Sequence, residues 1–317
     1  MHPPKRDDVE HKTKWMLFLL VPTGVLIYGS HSVLLNLSKV GGIVPFNSTS
    51  CVVMIETFKL IISLLVFWKG FTRDGGKANN MPSFQQSLLF SVPALLYCLN
   101  NNFVVHIQLY MDPASFQVLS NLKTVSTALL YWLIIRRRMT SQQWLAVFLL
   151  LLAGVANSYG GLHSKEDTSN MQIQVDSRGL ALMSIYCCIS GLAGVYTEYI
   201  LKKHQEVSLS LQNVLLYTYG VAFNLVGFLW TSGFQPSSFF QGFSVWTVII
   251  IVTQAFNGLI MSAIFKHGSN IIRLFIIASA MGVTTILSML LFSLQLNLYF
   301  YCAFGLVIIS LVLYHKR

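Results

Sequence analysis

The sequence predicts an all-α polytopic membrane protein with ten transmembrane helices in two inverted five-helix repeats. Three observations carry that expectation. Of 317 residues, 54% are hydrophobic and only 10% charged, against about 25% charged in an ordinary soluble domain. The apolar residues come in blocks of about 20, the length that crosses a bilayer, rather than in amphipathic stripes. The Lys and Arg residues gather in alternate loops between those blocks.

In chain order, a polar tail at 1–14 precedes an apolar run that opens at Trp15. That run is long and has no small-residue cleavage site after a short core, so it reads as a span and not as a cleaved signal peptide. No lipidation signature is present at either end. Spans are expected at 15–35, 46–68, 86–106, 114–134 and 144–161, and again at 180–200, 211–231, 245–264, 271–292 and 296–314. The first five form one unit (15–161) and the second five another (180–314), separated by a polar loop at 162–179 and followed by a short tail at 315–317. Because five is odd, two related halves sit in opposite orientations, a recurring transporter plan with its substrate site at the repeat interface. Asn100, Asn101 and Asn102 in the third span correspond weakly to Asn257-Gly258 in the eighth.

Loop charge sets the orientation. Of 21 Lys and Arg residues, 16 fall in the tails and loops on the side of the N-terminus, among them Lys12, Arg73, Arg136 to Arg138, Lys202, Lys203 and Lys316. Three (Lys39, Lys165 and Arg178) fall on the opposite side, and Lys59 and Lys123 lie inside spans. Positive charge marks the cytosolic side, so both termini are expected there. The net charge of +10 therefore reads as orientation and headgroup contact with the lipid bilayer. No basic and aromatic interleaving suggests a nucleic-acid partner.

Ionisable groups within a bilayer are expensive and mark function by default. Lys123, near the middle of the fourth span, is too far from either end to snorkel and reads as an anion contact or as the partner of a carboxylate such as Glu56. Glu56 and Lys59, three apart on one helical face, read as a structural ion pair. Asn100 to Asn102 both donate and accept, which suits sugar hydroxyls, a base edge or interhelical bonds. Lys266 and Arg273 bracket the turn His267 to Asn270 and either steer phosphates or orient the chain. Glu198 and Lys202 are spaced i, i+4 in the favourable order. Tyr196, Tyr217 and Tyr219 suit stacking on a base or sugar, or a membrane interface.

The absences narrow the class. The five cysteines lie in apolar blocks without a CxxC spacing, so neither a disulfide framework nor a zinc site is indicated. There is no phosphate-binding Gly-rich loop with Lys and Ser/Thr, and no catalytic motif near a span end. No cofactor, no ATP use and no enzyme activity are expected. Asn36 and Asn47 sit in glycosylation sequons close to the membrane.

Several segments resemble the nucleotide-sugar transporters of the Golgi, in the subfamily with the CMP-sialic acid and UDP-galactose carriers. They are 94–102 with its Asn triplet, Gln117-Val118, Asn121 to Lys123, the basic run before Ser141-Gln142-Gln143-Trp144, Gly191 to Glu198 with Leu201-Lys202, and Asn257-Gly258 with Lys266. The resemblance covers nearly the whole chain. It implies a Golgi-membrane antiporter that exchanges a cytosolic nucleotide-sugar for a lumenal nucleoside monophosphate. It places phosphate contacts on Lys123 and Lys266, base and sugar contacts on Asn101 and Asn102, and a further contact on Tyr217. Two positions depart from close relatives: Phe116 stands where they carry tyrosine, and Tyr219 where they carry serine. The cargo of those relatives therefore does not carry over, and a CDP- or CMP-linked polyol such as CDP-ribitol is as compatible as a UDP-sugar. Two other classes stay open: a transport-silent scaffold that organises other nucleotide-sugar carriers, and a broad-specificity metabolite exporter. Association with itself or with related carriers is left open as well.

Overall fold

The structure is a computed structural model and describes residues 6–40, 44–73, 81–107, 110, 116, 119–136, 138–163, 177–233, 235–292 and 298–315. Among these residues the regular secondary structure is helical. The long helices are α1 (Arg6–Leu37), α2 (Ser48–Arg73), α3 (Ser91–Ile107), α4 (Lys123–Ile135), α5 (Ser141–His163), α6 (Ser177–Lys203), α7 (Leu209–Thr231), α8 (Val245–His267), α9 (Asn270–Phe292) and α10 (Leu298–His315). A short helix, Phe84–Leu88, precedes α3, and a 3-10 turn, Ser120–Leu122, leads into α4.

Among the described residues, seven stretches are long and apolar enough to cross a membrane: Trp15–Leu37, Ser48–Arg73, Ser141–Tyr159, Arg178–Lys203, Leu209–Thr231, Val245–His267 and Asn270–Leu291. Leu298–Tyr314 is a shorter apolar helix. The expected span 86–106 is covered by the end of the short helix and by α3, whereas 114–134 and 296–314 fall partly outside the described residues, as does most of the loop 162–179. Helix α1 begins nine residues ahead of its apolar run. The sequence places Asp7, Asp8 and Glu10 at its N-terminal end, the charge that the helix dipole favours there.

The helix ends are fixed by short polar side chains. The Asn47 side chain accepts the Thr49 N–H at 2.8 Å and opens α2. Thr140 and Gln143 exchange backbone-to-side-chain bonds at the start of α5. Ser208 and Ser244 cap α7 and α8. Each satisfies amide donors that a helix start leaves open, the more needed where no water reaches.

The outside of the bundle is apolar. Large exposed side chains include Phe18, Leu65, Trp68, Leu133, Val226, Trp230, Leu290 and Val312. A soluble monomer rarely shows apolar patches beyond a few hundred Å², whereas lipid tails accept such a surface at no cost. Trp15, Trp68 and Trp230 stand near the ends of apolar stretches, where amphipathic rings favour the headgroup level.

Packing inside the bundle is paired. Helix α1 packs on α8 and α9, α6 on α3 and α4, α2 on α7 and α8, α3 on α7, and α5 on α10. These pairings map onto themselves when every helix is exchanged for the one five places away. One apolar core joins α4, α5, α6, α9 and α10 through Tyr131, Leu150, Val195, Phe275 and Val307. A second joins the residues just ahead of α3 to α3, α6, α7 and α8 through Phe90, Ala94, Leu201, Tyr217 and Phe265.

Candidate functional site

A cavity of about 500 Å³ lies between the helices and is lined from α1, α2, α3, α6, α7, α8 and α9. Its volume is in the range that takes a small organic ligand. Its polar lining includes Tyr28, His31, Glu56, Lys59, Tyr97, Asn101, Tyr217, Asn224, Gln254, Asn257 and Arg273.

Glu56 and Lys59 share one face of α2 and meet inside this cavity, with Lys59 Nζ 2.6 Å from Glu56 Oε1. Both are largely buried, at 16% and 11% side-chain exposure. The ammonium also stands 4.4 Å above the Tyr217 ring, a cation–π contact that strengthens where water is excluded. Tyr217 in turn donates its hydroxyl to the Gly258 carbonyl at 3.4 Å. Two glycines make the pair possible. A Cβ on Gly220 would stand 2.8 Å from Glu56 Oε2, and one on Gly258 would stand 2.6 Å from Lys59 Cδ. The absent side chains are the space that the two ionisable groups occupy.

Arg273, near the start of α9, is the second cation on the lining. Its guanidinium is 5.8 Å from the Phe265 ring and 3.4 Å from Asn270 Oδ1. Arg273 and Lys59 are the cations on the lining, and Glu56, to which Lys59 is paired, is its carboxylate. Two cations set in low dielectric among amides and tyrosines form an anion-accepting interior.

The end of the bundle that carries the α8–α9 turn is tied by hydrogen bonds. Glu198, fully buried on α6, accepts the Asn270 N–H at 2.6 Å, at the N-terminus of α9. It also accepts from Lys202 Nζ at 2.6 Å, and Lys202 donates to the Gly268 carbonyl at 2.5 Å. Lys266 Nζ donates to the Val207 carbonyl at 2.6 Å and to Gln212 Oε1 at 2.8 Å. Gln212 passes its own amide hydrogens to the Leu201 and His204 carbonyls. Beside this clasp, in the α6–α7 turn, the Glu206 carboxyl is held below its usual range, chiefly by its own backbone N–H and further by His204 at 3.3 Å.

The structure thus brings Asn101, Tyr217, Glu56 and Lys59 together on one cavity. Lys266 lies in the clasp, and its ammonium is taken by neutral oxygens. Lys123 is half-buried at the first turn of α4, outside the cavity lining. Phe116 packs on Tyr186 with ring centroids 5.7 Å apart. Tyr219 stacks on Phe223, and its hydroxyl is 3.4 Å from Ser87 Oγ. The side chain of Asn102 lies outside the described residues. His31 and Gln254 were not singled out in the sequence. Both are polar residues inside apolar runs, and a neutral polar group buried in a span needs a partner for the same reason as a lysine.

The sequence model described as "Nucleotide-sugar transporter" matches residues 12–315. The protein named "Probable UDP-sugar transporter protein SLC35A4" from Xenopus tropicalis is 46% identical over 99% of this chain and 95% of its own length. The proteins of the same name from Danio rerio and Homo sapiens are 43% and 41% identical, over 98% and 96% of this chain and 96% and 94% of their own lengths. A solved crystal structure, 11% identical, superposes with a TM-score of 0.68 over 94% of this chain and 96% of its own, a likeness of fold alone. With that match over nearly its full length and with transporters, not enzymes, as its relatives, the chain belongs to the nucleotide-sugar transporter family.

Proposed function

We propose that this protein is a Golgi-membrane antiporter that carries a cytosolic nucleotide-sugar, or a nucleotide-linked polyol such as CDP-ribitol, inward in exchange for a lumenal nucleoside monophosphate. The observation that carries the reading is the interhelical cavity in which Lys59 and Arg273 join a lining of amides and tyrosines. Cations there compensate phosphate, while Asn101, Tyr97 and Tyr217 offer hydrogen bonds and ring faces to a base or ribose. The relatives' names favour a UDP-linked cargo.

The self-mapping of the helix pairings supports two inverted five-helix halves that rock about the cavity. Alternation of loop charge supports cytosolic termini and puts the Glu198–Lys266 clasp on the cytosolic side. In this arrangement the clasp closes the cytosolic end. Lys266 and Lys123 reach the phosphates only after the helices around them move.

The test is reconstitution into liposomes preloaded with UMP or CMP, followed by uptake of labelled UDP-, CMP-, CDP- and GDP-linked compounds. Uptake driven by one matching monophosphate, and lost in Lys59→Glu and Lys123→Glu, is the expected result. Folded, inserted protein that moves none of the panel would replace the antiporter with the scaffold reading.

A further inference from the structure

The cavity reaches the clasp. On α6, α8 and α9 its lining includes Thr197, Phe265 and Arg273. Thr197 directly precedes Glu198 in the chain, Phe265 directly precedes Lys266, and Arg273 stands one turn beyond Asn270. Arg273 both lines the cavity and is hydrogen-bonded to a residue of the clasp.

That bond runs from Arg273 Nη1 to Asn270 Oδ1 at 3.4 Å, longer than an ordinary N–H···O bond. Asn270 is fully buried, and its Nδ2 has no hydrogen-bond partner among the described residues. Arg273 therefore supplies the one hydrogen bond that the Asn270 side chain makes among them. The Asn270 backbone N–H is held by Glu198 Oε2 at 2.6 Å. Gly194, one turn before Glu198 on α6, makes room for both side chains. A Cβ there would stand 2.5 Å from Arg273 Nη1 and 2.9 Å from either end of the Asn270 amide. One seat on α6 thus holds Arg273 and Asn270 together.

The guanidinium is a planar fork of N–H donors. The ion pairs among the described residues are Lys59 with Glu56, Lys202 with Glu198 and His204 with Glu206, and none includes Arg273. Guanidinium and phosphate are both charged and pair through two parallel bonds, whereas the Asn270 oxygen is neutral and offers one long bond. Phosphate wins that exchange. A grip that includes Nη1 takes it out of the Gly194 seat and leaves a buried amide with no partner, which is costly. The cost falls on the residue whose backbone N–H joins α9 to Glu198.

We propose that Arg273 couples the cavity to the clasp: a cargo phosphate draws the guanidinium from Asn270 and so loosens the Glu198–Asn270 joint between α6 and α9. The proposal rests on the antiporter reading and adds how its site is regulated. An empty cavity leaves Arg273 on Asn270 and the clasp closed, so opening follows cargo. Coupling of this kind is reciprocal, and a closed clasp weakens phosphate binding by the factor by which phosphate weakens the clasp. Asn270 is then a positioning residue that acts on cargo only through Arg273.

The experiment measures equilibrium binding of labelled UMP, CMP and GMP to purified full-length protein in detergent, with uridine, cytidine and guanosine as uncharged controls. Arg273→Met should weaken monophosphate binding at least about tenfold and leave nucleoside binding alone. Asn270→Ala frees the guanidinium and should tighten monophosphate binding about three- to tenfold. Asn270→Asp offers the guanidinium a carboxylate in the same place and should weaken it by about as much. In the Arg273→Met background both Asn270 substitutions should lose their effect, to within about twofold. A merely structural Asn270 would shift affinity in one direction in both variants and both backgrounds. Amide hydrogen exchange reads the reciprocal effect: the monophosphate that binds, at saturation, should speed exchange in the first turn of α9 about tenfold in wild type. Unchanged binding in Arg273→Met, shifts of one sign in the two Asn270 variants, or exchange that is unchanged or slowed by ligand overturns the coupling. Wild-type protein that binds none of the three monophosphates overturns the antiporter reading instead, and the coupling with it. If the Asn270 variants fail to insert, Arg273→Met binding and wild-type exchange carry the test.

Discussion

Glu198→Ala should destabilise the protein more than any other single truncation in the clasp. The carboxylate is fully buried and accepts the Asn270 N–H at 2.6 Å at the start of α9, where the helix dipole favours negative charge. A hydrogen bond to a charged group contributes about 1.5–3 kcal/mol, and truncation leaves the amide unpaired. Lys202 adds little, because its side chain is 31% exposed and it keeps the Gly268 carbonyl. The expected loss is therefore about 3 kcal/mol, more of it from the Asn270 end than from Lys202. At roughly 2 °C per kcal/mol for a chain of this size, Tm in detergent should fall by about 6 °C. Glu198→Gln keeps an acceptor of the same shape and should lose about half as much, while Lys202→Met should lose under about 1 kcal/mol. Thermal unfolding followed by loss of monodisperse protein reads all three. If Glu198→Ala melts with wild type, or if Lys202→Met costs as much as Glu198→Ala, the carboxylate-to-amide bond is not what joins α6 to α9.

Lys59→Met leaves Glu56 buried without its cation, a loss of about 3–5 kcal/mol, and should also abolish uptake. The double variant Glu56→Gln with Lys59→Met should recover most of the Tm and none of the uptake, which separates stability from cargo contact. Gly258→Val puts branched carbons where Lys59 lies and should remove uptake while leaving the protein inserted, read by liposome assay beside size-exclusion chromatography. Lys266→Met strands the Val207 carbonyl and Gln212 Oε1 and should cost about 2 kcal/mol. A rise in the cargo KM beyond that stability loss would show that Lys266 also meets the phosphates. The Asn47 side chain is occupied in capping α2, so Asn47→Gln should migrate with wild type on gels without glycosidase treatment, and Asn47→Ala should cost about 1 kcal/mol.

The helical bundle was legible because its causes are collective. A span needs many apolar residues in a row, and loop charge alternates with every crossing, so an error at one residue changes nothing. The site depends on single contacts. Glu56 and Lys59 were readable as a pair because three residues on one helix fix their distance before any tertiary structure exists. Lys266 was not readable in the same way. Its partners are a backbone carbonyl and Gln212, 54 positions away, and neither carries a charge to announce itself. A lysine in an apolar run says only that some partner must exist; cargo, carboxylate and carbonyl satisfy that demand equally. Glycines carry the opposite lesson. A glycine inside an apolar run signals close helix approach, but what approaches Gly220 and Gly258 is the Glu56–Lys59 pair. The same spacing signal serves helix contact and the cavity's charged floor, and only the neighbouring helix decides between them. His31 and Gln254 show the remaining gap. Neither is charged at neutral pH in the ordinary case, so a search by charge passes over them, although an unpaired amide inside a bilayer needs a partner for the same dielectric reason as an ammonium.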